Sequence, residues 1–326
     1  MKPSKKIPAA TVKPSAAIAQ PQTRQVPSAV LVASFAAAAQ SNATTRSYDA
    51  DIRHFKLHGG TMPATASMVA EYLARWAGTL AVSTLQHRLI AIHRAHTDQG
   101  LPSPVMDNLV KRTMQGIRRT LGVEQRRVTA LVKDDLLEMM VYIDQQMPVR
   151  AARDKALILI GFAGAFRRSE LVGLQYEDMT HYPSEGVEFL IRRSKTDQEG
   201  HGRTVFIPHA RGSRCPVEVL KNWLMLAGIE SGPLFRPINR HDQVVGKKAL
   251  TPQSVALIVK ASVRMLAGDE AAKSVAGHSL RAGYCTEAAT VGMQPYQIRE
   301  QTGHRSDVTL ARYIRPVAKR KIPSLL

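Results

Sequence analysis

Helical periodicity dominates this sequence and constrains its fold more than any other feature. Apolar side chains recur at three- and four-residue spacing along most of the chain, as at Tyr48, Ile52 and Phe55, and this spacing places them on one face of a helix. The two-residue alternation of a strand appears around residues 187–191 and again around residues 205–207. The sequence therefore predicts a mainly α-helical protein with one small β-sheet.

Composition divides the chain into four parts. Residues 1–27 hold five bases, five prolines and no acid, which predicts a disordered basic arm, either a weak phosphate contact or a plain tail. Residues 28–122 show helical segments without strand signals, so we expect an all-helical domain. Residues 123–128 are polar and basic, as in a linker between domains. Residues 129–326 carry the β element between helices and predict an α/β domain with a C-terminal tail.

The charge balance predicts a polyanionic partner. The chain carries 45 Lys and Arg against 26 Asp and Glu, a net charge of +19 at pH 7. Such an excess favours nucleic acid or an anionic membrane, and composition alone does not decide between them. No window reaches the roughly 18 apolar residues of a membrane span. The two cysteines, Cys215 and Cys285, lack the spacing of a disulfide framework or zinc site and fit a reducing compartment.

Five features of the second domain point to chemistry on a phosphodiester. They are Arg167 in Ala-Phe-Arg-Arg-Ser-Glu-Leu, Lys195 between the two strand segments, His278-Ser-Leu-Arg281, Gly303-His304, and Tyr313. Each feature alone has an ordinary structural explanation, such as an ion pair for an arginine near a glutamate. Together they supply guanidinium groups for phosphate oxygens, groups that move protons, and a phenol as nucleophile. The acids show no paired ligand spacing, so we predict no metal site.

These motifs resemble, in order and spacing, the signature of the tyrosine recombinases, the phage integrase family. The resemblance covers the whole second domain. The first domain is similar to the core-binding domain of the family, and residues 62–104 are similar to Cre recombinase. His304 departs from Cre, which has a tryptophan there, and agrees with Xer recombinases. The resemblance implies a SAM-like helical core-binding domain, which binds DNA, followed by an α/β catalytic domain of the integrase type.

The resemblance implies the bond-making roles in the reaction. Tyr313 would attack the scissile phosphate, form a 3′-phosphotyrosyl bond and release a 5′-hydroxyl. Arg167 and Arg281 would hold the non-bridging oxygens while negative charge develops on them. Because the phosphotyrosyl bond conserves the energy of the broken bond, the reaction needs no metal, ATP or other cofactor.

The resemblance also implies which groups move protons and which group orients them. Lys195 would protonate the departing 5′ oxygen, and His278 would take the proton of the tyrosine. His304 would donate a hydrogen bond to the phosphate. Glu170 would orient the arginine and histidine side chains. A phenol with an ordinary pKa near 10 needs such help at neutral pH.

The predicted function is site-specific DNA recombination through a Holliday junction, for integration, excision or resolution of a mobile element, plasmid or chromosome dimer. The predicted partners are double-stranded DNA with an inverted-repeat site and, at synapsis, three further copies in a homotetramer. An accessory protein is compatible with this function, a membrane is not involved, and the expected location is the bacterial cytoplasm. Two alternatives stay open: DNA relaxation like that of a type IB topoisomerase, and a DNA-binding regulator without catalysis.

Polar and basic side chains in both domains are candidates for DNA contact. Those at helix starts are expected to face a groove, and those near the linker are expected to contact the phosphate backbone. The candidates are Ser83, Thr84, Gln86, His87, Arg88, Arg118, Arg119, Arg126, Arg127, Thr251, Gln253 and Lys260. An exposed polar side chain at a helix end is the competing explanation for each. By analogy with the family, we expect the tail after Tyr313 to dock on a neighbouring subunit.

Overall fold

The computed structural model describes residues 28–39, 41–122, 128–192, 202–306, 308, 310, 311, 313 and 314. The chain forms two compact units that divide near residue 125. Predictions for the basic arm, for linker residues 123–127, for Lys195 and for the C-terminal tail lie outside the described residues. Within the described part, no helix is long and apolar enough to cross a membrane.

The first unit is all-helical in its described part, as predicted. Its helices are α1 (Ser28–Ala38), α2 (Asn42–Leu57), α3 (Ala66–Trp76), α4 (Val82–Thr97) and α5 (Asn108–Leu121). Ser41, Thr65 and Asp107 start α2, α3 and α5, because each side-chain oxygen accepts a hydrogen bond from an unpaired backbone amide of the first turn. The predicted apolar faces meet in a core that includes Phe55 and Leu85, both fully buried.

The second unit is mainly helical and contains one small sheet. Its helices are α6 (Lys133–Ile143), α7 (Pro148–Ala163), α8 (Arg168–Gly173), α9 (Pro216–Ala227), α10 (Pro252–Ser274), α11 (Ser279–Thr290) and α12 (Pro295–Thr302). The predicted N-cap Thr251 accepts from the Ser254 amide at the start of α10. The middle of α7 is buried on nearly every face, as its continuous apolar sequence predicts. It therefore forms the centre of this unit.

The sheet has three antiparallel strands in the order β1-β2-β3: β1 (Met179–Tyr182), β2 (Gly186–Ile191) and β3 (Arg203–Pro208). The predicted pair is confirmed, with Val187 opposite Ile207 and Phe189 opposite Val205. The first strand was not predicted. Its residues are half-buried at the start and then exposed, so they lack the apolar alternation by which a strand is recognised.

Close backbone contact fixes the position of α11, the helix that carries His278 at its start and Arg281 in its first turn. A Cβ atom placed on Gly283 would lie 1.7 Å from the carbonyl oxygen of Leu131. The Leu131 amide also donates to the Ser279 carbonyl at 3.2 Å. A glycine is required at position 283 because only a residue without a side chain lets the two backbones approach this closely.

A distant carboxylate caps the start of α7. The N-cap residue is Met147, whose thioether is a poor acceptor. Asp242 supplies the acceptor instead, since its two carboxylate oxygens accept from the amides of Val149 at 2.8 Å and Arg150 at 2.9 Å. Asp242 is 8% exposed and has a φ of 60°, a left-handed conformation that aspartate tolerates better than most residues.

We expect Asp242→Ala to lower the free energy of unfolding by about 1–2 kcal/mol, because two helix-start amides lose their acceptor. Urea denaturation followed by circular dichroism measures the change. Glu230→Ala is the control, because Glu230 is exposed and its loss should cost less than about 0.5 kcal/mol. Equal stability of the two variants would contradict the proposed cap.

Candidate active site

Arg167 and Glu170 form the first part of the site, at the turn between α7 and α8. The Glu170 side chain is 1% exposed and that of Arg167 is 17% exposed. Arg167 donates from Nη1 to Glu170 Oε1 at 2.6 Å, and its backbone amide donates to Oε2 at 2.9 Å. Glu170 therefore orients Arg167 through both side chain and backbone, and its carboxylate accepts from the N-cap amide at the start of α8.

Arg281 lies in the first turn of α11 and is fully buried. Its Nη1 donates to the carbonyl oxygen of Ala165 at 2.7 Å. Its Nε and Nη2 atoms contact no acceptor within the described residues. A buried donor without an acceptor costs about 1–3 kcal/mol, and more when it is charged. Two such donors on one guanidinium fit an anionic ligand.

The acceptor of Arg281 is held by an uncommon backbone conformation. Ala165 has a φ of 48° and is fully buried. A left-handed conformation in a residue with a Cβ atom costs about 1 kcal/mol, so the surrounding packing must impose it. The turn at Ala165 directs one carbonyl oxygen to Arg281. The chain reaches Arg167 two residues later, so one turn contacts the first guanidinium group and carries the second.

His304 follows Gly303, which ends α12 in a left-handed conformation with a φ of 66°. Its Nδ1 lies 2.8 Å from the hydroxyl oxygen of Thr302, and that hydroxyl donates to the Ile298 carbonyl at 2.7 Å. A carbonyl only accepts, so the single Thr302 proton is directed to Ile298. His304 Nδ1 must then carry the ring proton of the neutral form, and Nε2 carries a lone pair.

Tyr313 has helical backbone conformation and packs against an apolar cluster that includes Ile298 and Leu310. Its hydroxyl oxygen lies 3.2 Å from His278 Nε2. Its ring centroid lies 6.2 Å from that of His304. The phenol therefore stands between two imidazoles, one of which is within hydrogen-bond distance of the hydroxyl.

Positive charge accumulates around the buried carboxylate of Glu170. A third arginine, Arg203, approaches Glu170 Oε2 with Nη2 at 3.4 Å. Burial, with the neighbouring charge of Arg167, lowers the pKa of Arg281 to about 10, so Arg281 remains charged at neutral pH. Three guanidinium groups around one carboxylate leave an excess of positive charge, which favours an anionic ligand.

The same environment keeps both histidines of the site neutral. Loss of hydration and the charges of Arg281 and Arg167 lower the pKa of His278 to about 4 and that of His304 to about 3. The unfolded chain has an ordinary histidine pKa of 6.5 and binds protons more tightly. Stability is therefore complete above pH 6.5 and is lost as the pH falls from there toward the folded pKa values.

We expect the free energy of unfolding to fall by about 1–2 kcal/mol between pH 7 and pH 5, after allowance for solvent screening at the accessible His278 ring. Denaturant titrations at several pH values measure the slope. The double variant His278→Asn and His304→Asn should flatten it, because asparagine does not titrate. An unchanged slope in that variant would show that other groups cause the loss.

The structure brings six of the seven predicted catalytic residues of this unit together. They are Arg167, Glu170, His278, Arg281, His304 and Tyr313; Lys195 lies outside the described residues. Sequence reasoning missed Arg203, because an arginine at the start of a strand has no feature that separates it from the other cations. Among the described residues, no group of histidine, cysteine, aspartate and glutamate has the arrangement of a metal site.

One candidate for DNA contact in the first unit is corrected by the structure. Arg88 was expected to face a groove, but it is 8% exposed. Its Nη1 bonds the Tyr72 hydroxyl and His54 Nδ1, and its Nε lies 3.6 Å from Asp51 Oδ1. The guanidinium is thus turned inward to a polar network that links α2, α3 and α4, and it stabilises the unit.

The other candidates lie at accessible positions where the structure describes them. His87 pairs with Asp51 through Nδ1 while its side chain stays 44% exposed. Ser83, Arg118, Arg119, Thr251 and Gln253 are exposed, and Thr84, Gln86 and Lys260 are half-buried. Arg126 and Arg127 lie outside the described residues. Contact of these side chains with DNA stays a prediction.

A family model matches the second unit of the chain, and a known protein matches most of its length. Residues 129–320 match the family model described as the phage integrase family. The chain is 39% identical over 280 residues to an integrase/recombinase XerD homolog from Selenomonas ruminantium, covering 83% of this chain and 81% of that protein.

Solved structures of similar fold include three protein–DNA complexes. The XerH site-specific recombinase bound to palindromic difH substrate aligns with a TM-score of 0.57 at 22% identity, covering 78% of this chain and 70% of that one. The Tn1549 transposon integrase in complex with transposon right end DNA gives 0.59 at 14% identity, covering 86% and 93%. A lambda integrase dimer bound to a COC′ core site gives 0.58 at 15% identity, covering 88% and 75%. These likenesses concern the fold.

Proposed function

As a member of the phage integrase family, this chain is a tyrosine-type site-specific DNA recombinase, and we propose that Tyr313 is the nucleophile with which it cuts and rejoins strands. The two unpartnered buried donors of Arg281, beside the Tyr313–His278 contact at 3.2 Å, carry this proposal. They join a binding site for an anion to a nucleophile beside a neutral base. None of the relatives described above is a topoisomerase or a regulator.

The phosphate would bind where the guanidinium groups converge. Arg281 offers Nε and Nη2, and Arg167 is held by Glu170 beside the same turn. Planar guanidinium groups match pairs of phosphate oxygens. Negative charge grows on these oxygens as phosphorus becomes pentacoordinate, so donors already in place lower the barrier.

His278 would take the proton of the attacking phenol. Its pKa of about 4 keeps the imidazole neutral at neutral pH, and its Nε2 lies 3.2 Å from the Tyr313 hydroxyl. In the tautomer with the ring proton on Nδ1, Nε2 has the lone pair that accepts the phenol proton. As the proton moves to the imidazole, the phenolate oxygen bonds to phosphorus and the P–O5′ bond breaks. The product is a 3′-phosphotyrosyl bond, and the 5′ oxygen takes a proton from Lys195, which stays the predicted donor.

The predicted role of His304, hydrogen-bond donation to the phosphate, requires a proton on its Nε2. In the neutral protein its Nε2 carries a lone pair, so it donates to a phosphate oxygen only after it gains a proton. The negative charge of a bound phosphate favours the imidazolium form and raises the pKa of this ring. We therefore propose that DNA binding brings a proton to His304.

The reverse reaction completes strand exchange. A 5′-hydroxyl from a partner duplex attacks the phosphorus of the phosphotyrosyl bond and gives its proton back to Lys195, the predicted acceptor. The Tyr313–phosphorus bond breaks, and Tyr313 recovers its proton from His278. Two sequential exchanges through a Holliday junction recombine the duplexes. The number of phosphate esters is unchanged, so the reaction requires no ATP.

The DNA partner follows from the reaction, and the assembly is a further proposal. The solved structures of similar fold are a site-specific recombinase on difH substrate, a transposon integrase on transposon right end DNA and a lambda integrase dimer on a COC′ core site. We propose an inverted-repeat site bound by both units, with Arg118 and Arg119 near its phosphates and a homotetramer at synapsis. An accessory protein remains compatible with this assembly. The predicted bacterial cytoplasmic location follows from the DNA substrate and stays a prediction.

Covalent capture tests the proposed nucleophile. Duplexes are selected from a random pool by repeated binding to the full chain, then nicked at successive positions so that the short cleaved strand diffuses away. We expect a DNA adduct that survives denaturation, carries the 3′ phosphate on Tyr313 in peptide mapping and leaves a 5′-hydroxyl end. An adduct on another residue, or binding without any adduct, would refute the proposal.

A further inference from the structure

Arg203 is an arginine of the site to which the sequence motifs assign no role. It is the first residue of β3, and its side chain is 20% exposed. It lies eight residues after Lys195, at the point where the chain returns from the segment between β2 and β3. Its side chain extends from the sheet toward the turn of Arg167 and Glu170.

Arg203 contacts two parts of the site that are far apart in sequence. Its Nη1 donates to the backbone carbonyl of Gln301 at 2.9 Å, near the end of α12. Its Nη2 lies 3.4 Å from Glu170 Oε2, the same oxygen that accepts from the Arg167 amide. One guanidinium thus joins the start of α8 to the end of α12.

The position of the Arg203 side chain depends on the absence of a side chain at Gly303. A Cβ atom at Gly303 would lie 2.8 Å from Arg203 Nε, so the guanidinium packs on the bare backbone of the turn before His304. The Gly303 carbonyl in turn accepts from Arg167 Nη2 at 3.3 Å. Arg203 and Arg167 therefore hold this turn from two sides, and His304 is the next residue.

Burial of the Arg203 guanidinium beside Arg167 has a free-energy cost. Burial lowers the pKa of Arg203, and the carboxylate of Glu170 opposes that shift. Arg167 and Arg203 share one carboxylate whose side chain is 1% exposed. Two cations around one buried anion leave positive charge uncompensated, which is costly in a desolvated site.

We infer that Arg203 is a positioning residue of the recombinase. It holds the Glu170 carboxylate for Arg167 and anchors the turn that carries His304. This inference rests on the proposed function. Arg203 acts on the phosphate through its neighbours, since its two terminal nitrogens are engaged by Gln301 and Glu170. Its Nε has no acceptor among the described residues and packs against the backbone of Gly303.

The test compares DNA binding with strand cleavage in the full chain, using the selected nicked duplex. We expect Arg203→Ala to bind DNA within about threefold of the wild type, because many phosphate contacts share the binding energy. We expect its cleavage rate to fall about 10- to 100-fold, the usual effect of losing a group that orients a catalytic residue. Unchanged cleavage in a folded variant would overturn the inference.

A double-mutant cycle separates positioning from a general loss of stability. If Arg203 acts through Glu170, then Arg203→Ala should slow cleavage less than about threefold in a Glu170→Gln background, because coupled residues are not additive. Full additivity of the two losses would refute action through Glu170. Should Arg203→Ala fail to fold, Arg203→Lys carries the test, since it keeps the charge and loses the paired contacts; normal cleavage by it would refute the need for those contacts.

Arg236→Ala is the matched control. Arg236 is 6% exposed and donates from Nε to the Pro233 carbonyl at 3.0 Å. Like Arg203 it donates to a backbone carbonyl, but it is more buried and lies in a different loop. Its loss should reduce the melting temperature without changing cleavage at a temperature where the variant is folded. If the wild type itself does not cleave DNA, the proposed function is refuted. Unchanged cleavage by Arg203→Ala refutes only the role of Arg203, so the two outcomes are distinguishable.

Discussion

Tyr313→Phe is expected to abolish covalent capture of DNA, with a loss of cleavage of at least about 10⁴-fold, because no other group replaces a missing nucleophile. Phenylalanine keeps the ring that packs near Ile298 and Leu310, so the fold and DNA binding should persist. Denaturing gel electrophoresis measures the adduct, and mobility shift on the same duplex measures binding.

Tyr296→Phe is the control for this variant. Tyr296 lies in α12 and is 63% exposed, so the loss of its hydroxyl should change neither binding nor cleavage. If the protein were a DNA-binding regulator without catalysis, the wild type and Tyr313→Phe would behave identically. Adduct formation by Tyr313→Phe would reject Tyr313 as the nucleophile.

Arg281→Met is expected to reduce cleavage by about 10²- to 10³-fold, the cost of removing a donor that stabilises transition-state charge. The same change should leave the melting temperature at or above that of the wild type. Arg281 is fully buried and two of its nitrogen atoms lack an acceptor among the described residues. Removing such a charge relieves a desolvation cost of several kcal/mol, which offsets the about 1.5–3 kcal/mol of the lost bond to Ala165.

The same substitution at Arg236 should have the opposite result. Arg236 is also buried, but its Nε and Nη2 donate to the carbonyls of Pro233 and Ser231, so methionine there leaves acceptors unpaired and lowers the melting temperature. Scanning calorimetry and single-turnover cleavage measure the two properties. A lower melting temperature in Arg281→Met would show that Arg281 stabilises the free protein.

The arrangement of the site lowers the stability of the free protein. Ala165 holds a left-handed backbone conformation, Arg281 holds a charge without sufficient acceptors, and two histidines are kept neutral by their surroundings. A bound phosphate would supply acceptors for the unpartnered donors of Arg281 and would favour the protonated form of the histidines. Stability of the free protein is thereby exchanged for readiness to bind the reacting group.

Local patterns in the sequence predicted most of the elements. Three- and four-residue apolar spacing located the helices, and alternation at Val187 to Ile191 located the buried strand. Both signals arise because neighbouring residues experience the same environment within a few turns or pleats. Strand β1 was missed because its mostly exposed residues carry no such signal.

The motifs of the resemblance located six of the described site residues, and packing decided the rest. Arg281 bonds a carbonyl 116 residues away, and Arg203 bonds one 98 residues away. The inward direction of Arg88 and the distant cap at Asp242 are of the same kind. No periodicity or local propensity determines such contacts, because they form only when separate elements have packed and each buried polar group must find a partner in the space that remains.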